Sequence, residues 1–340
     1  MIIEARAPTR IDLAGGTLDI WPLNLLVPDP VTVNVAIDLY AVCRLTTGPG
    51  SRIRVTSHDR QISGSYSSLR RLDTRKGLEL LLEFTRHFSP RSGFTLETAC
   101  AAPAGSGLGG SSALAVALAK AFGRFCRKPL DRHQLLPLCR DLEAGVIRIP
   151  TGSQDYLAAL HGGWNAIHYP PGGPWVERLQ INPRALVDRL ILCYTGRSRA
   201  SARSNWDIFR NCVDGDPGSL NALRGIAAAA SEMRQALIAG NWKATAAAME
   251  REWGCRRRLS PTVGMGRVEP LLRAARRAGA AAGKPCGAGG GGCVLLICDP
   301  ARRKRVVEAV SRAGGRIIDF RVAGRGVRIN SLDGTPPPLV

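Results

Sequence analysis

The stretch whose residue types and spacing most plainly suit chemistry is Pro103-Ala-Gly-Ser-Gly-Leu-Gly-Gly-Ser-Ser-Ala113. With no side chains at Gly105, Gly107, Gly109 and Gly110, successive backbone N–H groups can point into one concavity, which suits phosphate oxygens. An alanine-rich apolar run follows at once, with Val116, Leu118, Ala119 and Phe122 at helical spacing. Ser111 or Ser112 then falls where a helix N-cap belongs, and the positive end of the helix dipole faces the loop. Pro103, Gly105, Ser106, Gly107, Gly109, Gly110, Ser111 and Ser112 together read as an anion cradle. The plainer alternative is a glycine-rich turn ahead of a core helix. Two widespread phosphate motifs fit poorly. A P-loop needs a lysine before its hydroxyl residue, and Gly110 stands there. The dinucleotide string G-x-G-x-x-G is met by Gly105, Gly107 and Gly110, but it also needs an acidic residue at a strand end about twenty residues on. The segment Arg124 to His133 instead reads as a helix end followed by a proline-containing turn.

The same loop closely resembles the P-x-G-x-G-L-G-x-S-S-A signature of the GHMP kinases (galacto-, homoserine, mevalonate and phosphomevalonate kinases). Two further segments resemble the family's other motifs, in the family's order and over nearly the whole length. Ala7-Pro-Thr-Arg10-Ile-Asp-Leu-Ala-Gly-Gly-Thr-Leu-Asp19 resembles the opening P-x-R…G-G…D segment, and Lys284-Pro-Cys-Gly-Ala-Gly-Gly-Gly-Gly292 the closing G-x-G-G-G-G turn. The resemblance implies an α+β, two-domain GHMP kinase fold. Its N-terminal domain (1–185) would be like ribosomal protein S5 domain 2, and its C-terminal domain (186–340) ferredoxin-like. It also implies ATP and Mg²⁺ as cofactors and a small-molecule alcohol as phosphate acceptor.

Site residues carry over from that resemblance. Asp155, in Thr151-Gly-Ser-Gln-Asp155, would be the catalytic base, and Arg10 would hold it ionised beside the γ-phosphate. Ser112 and Glu143 would supply the protein's oxygens to Mg²⁺, a hard cation that accepts such ligands together with water and phosphate. Asp19, Gly15, Gly16, Gly289 and Gly290 would line the substrate side. Each has an alternative reading. Glu143 could be an exposed helical residue paired with an arginine, and Asp155 a plain helix-start acid. Arg10 and Asp19 could be ordinary strand-end and turn residues. Leu108, inside the loop, reads as a hydrophobic anchor.

Within the superfamily the segments resemble sugar kinases most, D-glycero-D-manno-heptose 7-phosphate kinases and related sugar 1-kinases above all. The stretches are Arg10 to Gly16, Thr151 to Asp155 with Gly162-Gly-Trp-Asn165, Tyr194-Thr-Gly-Arg197, and Cys286 to Gly292. The chain departs from them at Thr17-Leu18, which precede Asp19 where those kinases show three glycines and then Thr-Asp. Arg197, Arg199 and Arg203 are candidates for a substrate phosphate or else solvated arginines at a helix start. The function expected is an ATP-dependent sugar or sugar-phosphate kinase. The alternatives are a GHMP kinase of a non-sugar alcohol such as a mevalonate-type substrate, and a non-catalytic basic nucleic-acid-binding protein on a kinase scaffold.

Composition bears on the last of these. The 340 residues carry a net charge of +20. The arginines are spread along the whole chain and aromatics make up only 5%, so neither a basic tail nor a stacking platform for nucleic acid is evident. No nucleic-acid partner is therefore expected. The absence of any run of about eighteen apolar residues leaves no candidate membrane span. The N-terminus has no apolar export core, and the ten cysteines are scattered without a C-x-x-C pair. Both features point to a reducing, cytoplasmic setting. A homodimer is one assembly the resemblance allows.

Behind these residues stand the elements that must position them. Strands are expected at Ile2 to Leu13, Val31 to Ile37 paired with Leu39 to Thr47, Arg52 to Ser57, Phe94 to Cys100, Gly163 to Tyr169, Leu190 to Tyr194, Cys293 to Cys298 and Arg316 to Val322. Helices are expected at Gly77 to Phe88, after the central loop, from Asp131 through Gly145, and at Ser153 to Leu160. Four more follow between Ala200 and Gly279, and one at Arg302 to Ala313. A boundary near Pro183 would divide the chain. The tail PPPLV is expected to be loosely ordered.

Overall fold

A computed structural model describes all residues except 74–75, 183–187, 197–201, 260–267, 288–290, 333–337 and 340. The boundary expected near Pro183 and most of the PPPLV tail therefore lie outside the described residues.

The chain begins with β1 (Ile2–Ala14), which pairs antiparallel with β2 (Val31–Thr47). β2 is a single strand of 17 residues rather than the expected pair. Neither glycine nor proline stands at its midpoint to turn the chain. Instead Asp38 is bound by another segment: its N–H donates to the Arg321 carbonyl (3.0 Å) and its carboxylate accepts from the Arg321 N–H (2.7 Å). The length of β2 lets it serve two neighbours. Val31 to Val35 pair with β6 (Trp164–His168), and Ala41 to Thr47 with β5 (Phe94–Cys100). β3 (Ile53–Ser57), β4 (Ile62–Tyr66) and β7 (Trp175–Arg178) extend the sheet, and β12 (Arg328–Leu332) returns from the far end of the chain to pair with β1. Among the described residues the sheet has eight strands, the path β12-β1-β2-β5-β3-β4 with β6 and β7 branching from β2. The sequence reading does not place β4, β7 and β12. They are short, and β7 and β12 lie largely exposed, so the apolar alternation that marks a half-buried strand is missing.

One face of this sheet is covered by α1 (Glu79–Phe88), α2 (Gly110–Phe125), α3 (Arg132–Ile147) and α4 (Gln154–His161). α2 is the axis of this layer. Its alanines at 113, 115, 117, 119 and 121 are all fully buried, so small side chains let sheet and helices approach it from all sides. α3 starts at an Asp131 N-cap that forms a capping box with Gln134.

The second half builds a four-stranded sheet, β11-β8-β10-β9, from β8 (Leu190–Tyr194), β9 (Ala280–Pro285), β10 (Cys293–Cys298) and β11 (Arg316–Ile318). β9 escapes a reading by pattern because it is AAAGKP. Its Gly283 leaves the space taken by Leu272 and Leu296, both within 2.7 Å of where a Cβ would sit. With these strands go α5 (Ala202–Val213), α6 (Pro217–Ile238), α7 (Trp242–Leu259), α8 (Val268–Ala278) and α9 (Arg303–Arg312). α6 and α7 pack between the two sheets. Met233, Leu237 and Met249 join Ile11, Leu13 and Val33 of the first sheet and Leu295 of the second in one core.

Candidate active site

Side chains on a strand alternate between its faces, so Arg10 and Asp12, two residues apart on β1, project from the same face. β1 departs from regular pairing on either side of them, between Pro8 and Thr9, where proline supplies no N–H, and between Asp12 and Ala14. Arg10 reaches all three glycine-bearing or acidic segments singled out above. Its Nε and Nη2 each lie 2.7 Å from Oδ1 of Asp155. Its Nη1 donates to the carbonyls of Gly107 and, at 3.3 Å, Cys286. Its own backbone N–H donates to the Leu108 carbonyl at 2.9 Å. One guanidinium with several fixed donors thereby joins the opening motif, the central loop and the closing turn.

The central loop and the closing turn also touch directly. The Cys293 N–H donates to the Ser106 carbonyl at 2.7 Å. A Cβ at Gly107 would meet the Gly287 nitrogen at 2.8 Å, so that crossing admits only glycine. Leu108 is fully buried beneath the loop in the core between the sheets. Gly109, with φ of +73°, takes the N-cap position of α2, and no side chain caps the helix. The serine N-cap expected from the sequence is thus replaced. Ser111 and Ser112 fall in the first turn instead, near enough to the Glu143 carboxylate to help lower its pKa. The first amides of α2 accordingly face the adjoining cavity without side-chain partners.

That cavity has a volume of about 620 Å³. Its walls include Ser57, Arg60, Leu81, Pro103, Gly105, Gly107, Gly109, Gly110, Ser112, Glu143 and Asp155. Glu143 is only 5% exposed, and it makes no ion pair among the described residues. The Tyr156 hydroxyl donates to it at 2.6 Å. Burial raises the Glu143 carboxyl above its ordinary value, against hydrogen bonds from Ser111, Tyr156 and Ser112 that lower it. A buried, unpaired carboxylate beside a serine hydroxyl is a hard-oxygen donor set. It fits a divalent cation such as Mg²⁺ that keeps part of its shell for water and phosphate. The alternative of an exposed, arginine-paired Glu143 does not hold.

Asp155 sits in the first turn of α4, its side chain 22% exposed toward the cavity. Asp19 meets the start of the same helix, one residue before Asp155. Its carboxylate accepts from the Thr17 N–H at 3.1 Å through Oδ1 and from the Gln154 N–H at 3.2 Å through Oδ2. Burial and the charge of Asp155 push the Asp19 carboxyl up to about 6. Asp19 opens onto a second cavity of about 380 Å³, whose walls include Trp21, Asn24, Arg140 and Tyr169. Trp21 is 70% exposed there. Gly15 and Gly16 end β1 at close range to Val31 and to Asp12 and Arg256 respectively. Gly289, Gly290, Arg197 and Arg199 lie outside the described residues, as does the side chain of Arg203.

Some neighbours of the site escape the sequence reading. Asp12 and Lys284 lie inside the first and third motifs, yet their types gave no sign of contact. Lys284 is fully buried, 3.1 Å from Asp12 and 3.1 Å from Glu252. Glu252 and Arg256 are four apart on α7, a spacing that on sequence alone reads as an exposed helical pair. Trp21 and Arg140 could have been flagged only by knowing which loops converge.

Comparison with known proteins agrees with this geometry. Residues 75–163 match the GHMP kinases N terminal domain and residues 233–316 the GHMP kinases C terminal domain, together just over half of the chain. A D-glycero-alpha-D-manno-heptose 7-phosphate kinase of Campylobacter jejuni is 29% identical over 96% of this chain and 98% of its own. A mevalonate kinase of Thermococcus sibiricus is 25% identical over 98% and 99%. Among solved structures, a D-glycero-D-manno-heptose 1-phosphate kinase of Bacteroides thetaiotaomicron superposes with a TM-score of 0.79 at 24% identity, covering 98% of this chain and all of that one, a likeness of fold. With both domain types matched in order, and one arginine tying the three glycine-bearing motifs to an acidic helix start, the chain belongs to the GHMP kinases.

Proposed function

We propose that this chain is an ATP-dependent kinase that transfers the γ-phosphate to a hydroxyl of a sugar phosphate of the heptose 7-phosphate class. The observation that carries the reading is the Arg10–Asp155 pair at 2.7 Å, set between the phosphate-suited cavity and the Asp19 cavity. In this reading the α2 amides and the loop from Pro103 to Ser112 cradle the phosphates of ATP, and the rest of the same cavity takes the nucleoside. Ser112 and Glu143 would hold Mg²⁺, which when bound neutralises phosphate charge and aligns the transferring group. Asp155 accepts the acceptor hydroxyl's proton as that oxygen attacks phosphorus. Arg10 fixes the Asp155 carboxylate in place and offsets the charge that builds on the transferring phosphoryl group.

The acceptor cavity supports a sugar phosphate over an isoprenoid alcohol. An indole (Trp21) suits the apolar face of a sugar ring, Asp19 suits its hydroxyls and the Arg140 guanidinium suits a phosphate. The kinase of Campylobacter jejuni acts, by its name, on such a compound. Gly15 and Gly16 serve this side by letting the strand end approach closely, and Gly289 and Gly290 would do so on the closing turn. Residues 1–185 and 186–340 form the two domains in this proposal, with β12 crossing back to the first sheet. The ten cysteines, free and mostly buried, suit a cytoplasmic setting, and no described helix is long and apolar enough to cross a membrane.

The test is coupled ADP release over a panel holding D-glycero-D-manno-heptose 7-phosphate, unphosphorylated sugars and mevalonate. Turnover of the heptose phosphate with none of mevalonate is expected. Turnover of mevalonate in preference would overturn the acceptor class, and an unchanged rate in Asp155→Asn would overturn the base.

A further inference from the structure

Thr17 has a positive φ of +89°, a conformation that is unfavourable for a β-branched residue. It is 8% exposed. Its hydroxyl has a specific partner: Nη2 of Arg256 donates to Thr17 Oγ1 at 3.2 Å, and Nη1 of the same guanidinium donates to the Gly16 carbonyl at 3.4 Å. Arg256 is itself fixed from behind. Glu252 Oε1 lies 3.3 Å away and Asp12 Oδ2 3.5 Å away, and both carboxylates share Lys284. Two acids and two bases form a neutral buried group, and the guanidinium is the member of it that meets the loop.

The loop's other contacts lead on to the site. The Thr17 N–H and the Gln154 N–H each take one oxygen of Asp19, which leaves the remaining lone pairs of both oxygens for acceptor hydroxyls. The orientation of that carboxylate therefore depends on where the Thr17 peptide points. We infer that Arg256, through the Thr17 hydroxyl, is a positioning residue that holds the 15–19 turn in its strained form and so aims Asp19 at the acceptor. The acceptor-binding role of Asp19 rests on the reading above, whereas the structural half of the inference does not.

Acceptor and ATP kinetics with heptose 7-phosphate form the test, on Thr17→Val, Arg256→Met and Asp19→Asn. Thr17→Val keeps the branched shape and loses only the hydroxyl. It and Arg256→Met should each raise the acceptor KM by at least tenfold with the ATP KM unchanged, and the double variant should be no worse than the worse single one. Glycine needs no support at positive φ, so adding Thr17→Gly to Arg256→Met should bring the acceptor KM back to within a few-fold of the original. Arg256→Met also lowers thermal stability, because it takes one charge from the buried group; a merely structural arginine would do that and depress kcat without raising the acceptor KM selectively, and Thr17→Gly would not rescue it. An unchanged acceptor KM in Thr17→Val, with Asp19→Asn impaired, overturns the inference while sparing the site; no effect in Asp19→Asn overturns the site and the inference together. A crystal structure of Thr17→Val that retains the positive φ and both amide contacts to Asp19 overturns it whichever acceptor the enzyme uses.

Discussion

Two charged clusters hang from one face of β1, two residues apart, and they have opposite fates. Arg10 and Asp155 meet at the wall of an open cavity, with Asp155 partly exposed to it. Asp12, Glu252, Arg256 and Lys284 meet in a sealed interior, none of the four more than 8% exposed. The first cluster keeps free lone pairs and a solvent path, the condition for moving a proton. The second has its charges matched two against two. Burial pushes the Asp12 carboxyl up, yet Lys284, Arg256 and Arg10 together hold it below its ordinary value. A matched buried quartet of this kind is not a large net source of stability, but removing one member leaves an uncompensated charge. The contrast teaches that the same residue types, separated by one pleat, serve chemistry or architecture according to what the rest of the chain lays over them.

The comparison breaks first at Asp155. Asp155→Asn should lower kcat by roughly 10²–10⁴-fold, the span general-base catalysis contributes, with the thermal midpoint near that of the parent; a collapse in stability instead would place Asp155 with the buried quartet. Lys284→Met should do the reverse. Two acids would be left in the interior, at a cost of about 3–5 kcal/mol, read as a lower denaturant midpoint. The damage should shrink when Glu252→Gln is added.

Leu108→Ala tests the floor under the open cluster. Truncating a fully buried leucine costs roughly 2–5 kcal/mol, and because the Leu108 carbonyl receives the Arg10 N–H, the ATP KM should rise along with the loss in denaturant midpoint.

The smallest effect sharpens the border between the clusters, at Asp19. Its folded value near 6 lies above the ordinary 3.8, so the folded state binds the extra proton between those values. Charged Asp19 thus costs stability above about pH 6, and that cost fades as pH falls through the same range. Asp19→Asn should therefore raise the thermal midpoint at pH 7.5 and leave it unchanged near pH 4. If Asp19 binds the acceptor as proposed, acceptor kcat/KM should fall below about pH 6 in the parent enzyme, as its carboxylate is protonated. Differential scanning fluorimetry across pH, paired with acceptor titrations, reads both.

Much of this was legible in the chain. The glycine loop and the helix behind it followed from glycine spacing ahead of an alanine-rich run, because glycine at positive φ and small residues at close approaches leave a local signature. Most buried strands and long helices could be read from apolar periodicity, whereas β2 misled because what interrupts its pattern is a contact with Arg321, not a turn. The serine cap was misplaced for a related reason. Serine favours caps in general, but here Gly109 bends the chain and frees both hydroxyls to meet Glu143.

What residue order alone determined was the set of groups available for phosphoryl transfer and their sequence along the chain. What only the folded molecule decided was proximity: that Arg10 bonds Asp155 across 145 positions, that Lys284 lies buried beside Asp12 across 272, and that Thr17 is held by Arg256. Periodicity and propensity act over a few residues, whereas burial and ion pairing act through space. Whether a carboxylate works or merely holds is therefore settled by packing that no local pattern encodes.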